Sequence, residues 1–185
     1  MSNRLVSKIR LLLTATIGLA VASVFYSQTW AVAQSQATST AKPSRDNITL
    51  QETDNLYALA KLARDKQLPI LVMFAQDDCL YCELVREDFL NPMLQSGEYD
   101  DKVIIRQLHI DSFDEVRNFN GKMIDVEELD VNYGAYLTPT VVFLDPNGYE
   151  LSPRIIGVVN EYFYGEQLDA AIDNSLTKLR KINAR

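Results

Sequence analysis

The chain has 185 residues, with 25 acidic and 18 basic side chains and a formal net charge of −7. That length suits one domain, and the acidic balance argues against nucleic acid as a partner, because phosphates would be repelled rather than neutralised. Only two cysteines, Cys79 and Cys82, and one histidine, His109, are present, so C-x-x-C supplies half of a zinc site with no second cysteine pair to complete it.

The N-terminus reads as an export signal. Arg4, Lys8 and Arg10 form a basic start, Leu11 to Val24 an apolar core, and Ala31-Val32-Ala33 an A-x-A cleavage site. An uncleaved membrane anchor is the alternative, since Leu11 to Ala33 is uncharged and long enough to span a bilayer. Either way the globular part is expected outside the cytoplasm, in the periplasm. Removing residues 1–33 takes away three positive charges and no negative ones, leaving −10. Residues 34–49, rich in Ser, Thr, Ala and Gln, are expected as a flexible linker to a domain over 50–185.

Helical spacing of Leu56, Leu59, Ala60, Leu62 and Ala63 predicts a first helix over 51–67, with Glu52 and Asp54 in its first turn. Ile70 to Ala75 is a continuous apolar run of strand length, as expected for a central strand buried on both faces. A helix follows, with Asp78 as N-cap and Cys82, Val85 and Phe89 on one side. Asn91-Pro92 predicts an interruption and a separate short helix over about 92–97, with Asn91 as cap. Val103 to Ile110 reads as a second strand in which His109 is a surface or hydrogen-bonded residue. Asn120-Gly121 predicts a turn within a small hairpin or extended insertion over 112–125. Then come a short helix from Val126 to Tyr133 capped by Gly134, a strand from Thr140 to Leu144, and a turn at Asp145-Pro146-Asn147-Gly148. An antiparallel strand from Tyr149 to Val158 follows, its Pro153 requiring an edge or a bulge, and a last helix runs from Asn160 to about Lys181.

The chemistry points to Cys79-Leu80-Tyr81-Cys82. A cysteine at the start of a helix faces unpaired N–H groups that favour the thiolate, so Cys79 reads as nucleophile. Residues i and i+3 share a helix face at a separation a disulfide can span, so Cys82 can resolve a mixed disulfide on Cys79. A structural staple is the bland alternative, but closing so short a loop contributes only about 2 kcal/mol. Glu83 stands where a c-type haem motif needs histidine. No cofactor and no resident metal are expected.

The element order resembles the thioredoxin fold over residues 50–180, an α/β arrangement with a central mixed β-sheet flanked by helices. Two motifs carry the resemblance: Cys79-Leu80-Tyr81-Cys82 after a buried strand, and Thr138-Pro139 about 60 residues later at the head of another strand. In that family the proline step is cis and lies against the cysteines. The resemblance therefore implies substrate binding at Thr138 and Pro139, whose backbone could pair with a substrate chain. Phe74-x-x-x-Asp78-Cys79-x-Tyr81-Cys82, then Gly134-x-x-x-Thr138-Pro139-Thr140 and Phe143-Leu144-Asp145-x-x-Gly148, is similar to exported bacterial thioredoxin-like proteins of sulfur-oxidation and cytochrome-assembly systems. Thioredoxin proper has Trp, Gly-Pro and a buried Asp where this chain has Asp78, Leu80-Tyr81 and Met73. The group that would assist the second cysteine's proton transfer is then Glu83 or water.

Asp77, Asp78 and Glu83 surround Cys79 in sequence, with no Lys, Arg or His within six residues upstream or three downstream. Such like charge opposes the thiolate and favours the Cys79–Cys82 disulfide, so these residues are expected to tune the pair toward a reductant. The expected partners are disulfides of exported proteins and a membrane electron donor, with the chain acting as a monomer. A disulfide isomerase or oxidase, and a Cu(I) carrier using both thiols, are the alternatives.

Overall fold

The computed structural model describes residues 44–184. The expected signal segment 1–33 and the linker up to residue 43 lie outside the described residues. No described helix is long and apolar enough to cross a membrane. Part of the expected linker is held by the domain: the Arg45 guanidinium donates to the Leu94 carbonyl and pairs with Asp100 at 2.7 Å.

The sheet is built around the apolar run. Strand β1 (Ile70–Ala75) lies parallel to β2 (Ile104–His109) on one side and antiparallel to β5 (Thr140–Leu144) on the other. Beyond β5 lies β6 (Glu150–Ile156), giving a mixed sheet of order β2-β1-β5-β6. Every residue of β1 and β5 is buried, because helices cover both faces. Ile70, Val72 and Phe74 face a core shared with the first helix and the hairpin region. Leu71, Met73 and Ala75 face a second core with Cys82, Val85 and the last helix.

Helix α1 spans Leu56–Lys66, shorter than the predicted 51–67. Asn55 caps it through a bond from Ala58 N–H at 2.9 Å, so Glu52 and Asp54 precede the helix. Residues 51–53 instead pair with the β2 edge, through Thr53 N–H to the Gln107 carbonyl and Gln107 N–H to the Gln51 carbonyl. An open strand edge must satisfy its backbone groups, and that demand outweighs the weak helical preference of these polar residues.

The cysteine helix departs from expectation twice. Its N-cap is Cys79, not Asp78; Asp78 takes a left-handed turn conformation at φ 53°, which a short polar side chain tolerates. And Asn91-Pro92 does not interrupt it. Helix α2 (Leu80–Val85) runs through a π-turn over Arg86–Leu90 into helix α3 (Asn91–Ser96). Asn91 N–H reaches back five residues to the Arg86 carbonyl, and this wider turn relieves the clash that Pro92 would make in a regular α-helix. Asn91 is therefore not a cap. It is buried, accepting from Leu50 N–H at 2.8 Å and donating to Glu87 at 3.0 Å.

The expected hairpin forms from β3 (Glu115–Arg117) and β4 (Met123–Asp125), a separate two-stranded sheet turned at Asn118–Gly121. Helix α4 (Glu127–Tyr133) follows, and Gly134 takes φ 68° as its cap requires. Asp145 accepts from the N–H groups of Asn147 and Tyr149 and fixes the turn into β6. Pro153 lies on this edge strand, whose pairing with β5 also shifts register. Helix α5 (Glu161–Asn183) is capped by Asn160 and packs Leu168 and Ile172 into the second core.

Candidate active site

The register gathers the chemistry at one end of the sheet. β1 ends at Ala75, opposite His109 at the end of β2; Phe74 faces Thr140 at the start of β5, and Thr140 faces Ile156 at the end of β6. The segments 76–79, 136–139 and 157–160 therefore emerge side by side.

Cys79 and Cys82 are joined in a disulfide, with Cα atoms 5.2 Å apart. Their surroundings differ. Cys79 is half-buried at the helix start, its Sγ accepting from Cys82 N–H at 3.2 Å, whereas Cys82 is 1% exposed and packed in the second core. A half-buried sulfur facing a helix N–H is positioned as nucleophile and leaving thiolate, and a buried one can be reached only from its partner.

The Thr138–Pro139 peptide is cis. Thr138 Oγ1 donates to Gln76 Oε1 at 2.9 Å, three residues before Cys79, and the Pro139 carbonyl accepts from Gly157 N–H at 2.8 Å. The proline step is thereby tied to the same loop end as the cysteines. Around it the apolar side chains of Leu80, Tyr81, Tyr136, Leu137, Val159 and Tyr162 are exposed, a concentration that suits contact with another polypeptide.

The three acidic residues meet different fates. Asp78 is exposed and has no basic partner among the described residues. Glu83 pairs with Arg86 at 2.7 Å, and Asp77 lies 3.3 Å from His109 Nδ1. Sequence neighbourhood around Cys79 thus misses two cationic or potentially cationic groups, one a helical turn beyond Cys82 and one on the adjacent strand. Asp77, Asp78, Glu83 and Glu87 line one groove with Arg86, Gln107 and His109.

His109, read from sequence as a strand residue, is 14% exposed and fully engaged. Its Nε2 faces Arg86 Nη2 at 3.5 Å. On its other side Nδ1 lies 3.3 Å from Asp77 and 3.8 Å from Asp111, so the imidazole sits between the guanidinium and two carboxylates. Asp111 in turn accepts from Asp77 N–H at 2.7 Å. Asp77, His109 and Asp111 are of metal-ligating type, and their ligand atoms lie within 4.8 Å of one another. Arg86, Gln107, His109 and Asp111 form the part of the site that sequence reading missed. The available signals were the i,i+4 spacing of Cys82 and Arg86 and the alternation placing residues 105, 107 and 109 on one face of β2.

No curated protein matches the sequence. Among solved structures, a thioredoxin from Nicotiana alata is 20% identical with a TM-score of 0.47, covering 74% of this chain and 97% of its own. The thioredoxin of Fasciola hepatica is also 20% identical with a TM-score of 0.46, covering 68% and 99%. The periplasmic thioredoxin SoxS from Paracoccus pantotrophus is 21% identical with a TM-score of 0.40, covering 58% and 98%. Residues 56–173, from the first helix into the last and including both cysteines, match the family described as a thioredoxin-like domain. The chain belongs to that family, and its Cys79–Cys82 pair makes it a thiol–disulfide oxidoreductase.

Proposed function

We propose that this protein is exported to the periplasm as a monomer and reduces disulfides of other exported proteins, recharged by a membrane electron donor. In the forward reaction the Cys79 thiolate attacks a substrate disulfide, forming a mixed disulfide and releasing the first substrate thiol. Cys82 then attacks Cys79, releasing the second thiol, and two electrons have passed to the substrate. The product is the Cys79–Cys82 disulfide. Thr138 and Pro139 hold the substrate segment beside Cys79, and the exposed apolar side chains around them receive its flanks.

The observation that carries the direction is the acidic setting of the half-buried Cys79. Asp78 lacks a basic partner among the described residues, Asp77 and Glu83 are mostly exposed, and carboxylates near a thiolate favour the oxidised pair. The test is reduction of insulin disulfides by the chemically reduced protein, followed as precipitation of the freed chain. Stoichiometric reduction is expected. Transfer of oxidising equivalents to a reduced, unfolded substrate without insulin reduction would point to an oxidase, and tight 1:1 Cu(I) binding without either activity to a carrier.

Export rests on the basic start, apolar core and A-x-A site of residues 1–33. Trp30, the sole tryptophan, precedes the cleavage point, so the exported protein should show tyrosine emission only and the mass of residues 34–185. Tryptophan emission with the full-length mass would mean that the segment stays as an anchor.

A further inference from the structure

Arg86 is built into the back of the cysteine site. It lies one turn after Cys82, and its backbone N–H donates to the Cys82 carbonyl. Its side chain is only 17% exposed, and the guanidinium is held from three directions: Nη1 by Glu83 at 2.7 Å, Nε by Gln107 Oε1 at 3.0 Å, and Nη2 facing His109 Nε2 at 3.5 Å. Gln107 and His109 stand on β2 directly opposite Met73 and Ala75 of β1, and Met73 and Ala75 belong to the core that contains Cys82. The residues lining Cys82 on the sheet are apolar, and among the charged side chains of the groove, Asp77, Asp78, Glu83, Glu87 and Arg86, this cation is the least exposed. Glu83, the counter-ion, is 60% exposed. Water therefore screens the carboxylate more than the guanidinium.

We propose that Arg86 sets the equilibrium between the Cys79–Cys82 disulfide and its dithiol, stabilising the thiolate formed on reduction, with Glu83 as the counter-ion that moderates it. The pair is then a charge adjustment opposing Asp77 and Asp78, so that the disulfide can still be recharged by a donor. This rests on the pair being redox-active, whichever way electrons run. Gln107 is a positioning residue, since it holds the guanidinium against β2 without carrying charge.

The test uses the exchange of the Cys79–Cys82 disulfide with two glutathione thiols to give the dithiol and one glutathione disulfide. Its equilibrium constant is measured for wild type, Arg86→Gln, Arg86→Lys and Glu83→Gln, beside the pH profile of Cys79 alkylation. Arg86→Gln should shift the equilibrium toward the disulfide about tenfold, the effect of roughly one pKa unit on the thiolate. Arg86→Lys should recover part of the shift, and Glu83→Gln should shift it the other way. A purely structural role for Arg86 predicts lower stability with an unmoved equilibrium, or shifts of the same sign in both charge-removing variants, and either result overturns the proposal. If Arg86→Gln does not fold, Glu83→Gln decides alone: no shift toward the dithiol refutes it. A wild type showing no reversible exchange would instead refute the redox reading itself.

Discussion

The two cysteines should not be interchangeable, in stability as in chemistry. Replacing either with serine removes the disulfide, which closes a loop so short that its loss costs about 2 kcal/mol in the chain-entropy model. Beyond that shared loss the positions differ. Cys79 is the N-cap of its helix, its Sγ accepting from Cys82 N–H, and serine is a preferred N-cap residue. Cys79→Ser should therefore stay within about 1 kcal/mol of the reduced wild type. Cys82 is 1% exposed among Met73, Ala75 and Val85, and a serine hydroxyl there would be buried without a partner. Cys82→Ser should fall about 1–3 kcal/mol below the reduced wild type. Urea unfolding in the presence of a reductant measures both differences. The same variants differ in chemistry: with a disulfide-bonded protein substrate, Cys82→Ser should accumulate a mixed disulfide through Cys79, and Cys79→Ser should accumulate none. Equal stabilities, or trapping through Cys82, would refute the assignment of Cys79 as nucleophile and Cys82 as buried resolver.

Asn91→Ala should cost about 2–4 kcal/mol, because it removes two hydrogen bonds and leaves the buried N–H of Leu50 unpaired. A loss under about 0.5 kcal/mol in thermal or urea unfolding would contradict the buried role of Asn91. Alkaline stability should fall from about pH 10 upward. Burial, followed by the nearby Glu150 and Asp145 carboxylates, pushes the Tyr133 phenol up to about 12, and burial also raises Tyr164. Both stay neutral in the fold while the unfolded chain ionises near 10, so their stabilisation is complete below pH 10 and lost as pH rises through the folded values. Tyr164 also has a buried hydroxyl without a partner. Tyr164→Phe should thus raise stability by about 1 kcal/mol at neutral pH and soften the alkaline loss; destabilisation at pH 7 would contradict that reading.

The legible parts of the fold were those in which one local signal decides. The unbroken apolar run of Ile70–Ala75 has the length and composition of a strand covered on both faces, and the Asn118–Gly121 and Asp145–Gly148 turns follow from residues that tolerate or fix tight backbone. The misread parts were those in which a distant demand overrode local preference. Glu52 and Asp54 carry a helix-start signature, yet the neighbouring backbone is claimed by the edge of β2. Asn91-Pro92 carries a cap signature, yet a π-turn absorbs the proline and burial recruits the amide to bind Leu50 and Glu87. The site divides in the same way. The cysteine pair and Thr138-Pro139 are contiguous motifs and can be read directly. Arg86, Gln107 and His109 meet only because β2 lies beside β1 under the cysteine helix, and a sequence window around Cys79 cannot show which groups of the next strand hold that guanidinium.

The equilibrium redox potential of the Cys79–Cys82 pair in the purified protein tests the central claim most directly. A reductant of exported disulfides should have a potential near or below that of thioredoxin, about −270 mV. A value of about −180 mV or higher, the range of isomerases and oxidases, would contradict it and reverse the assigned direction of electron flow.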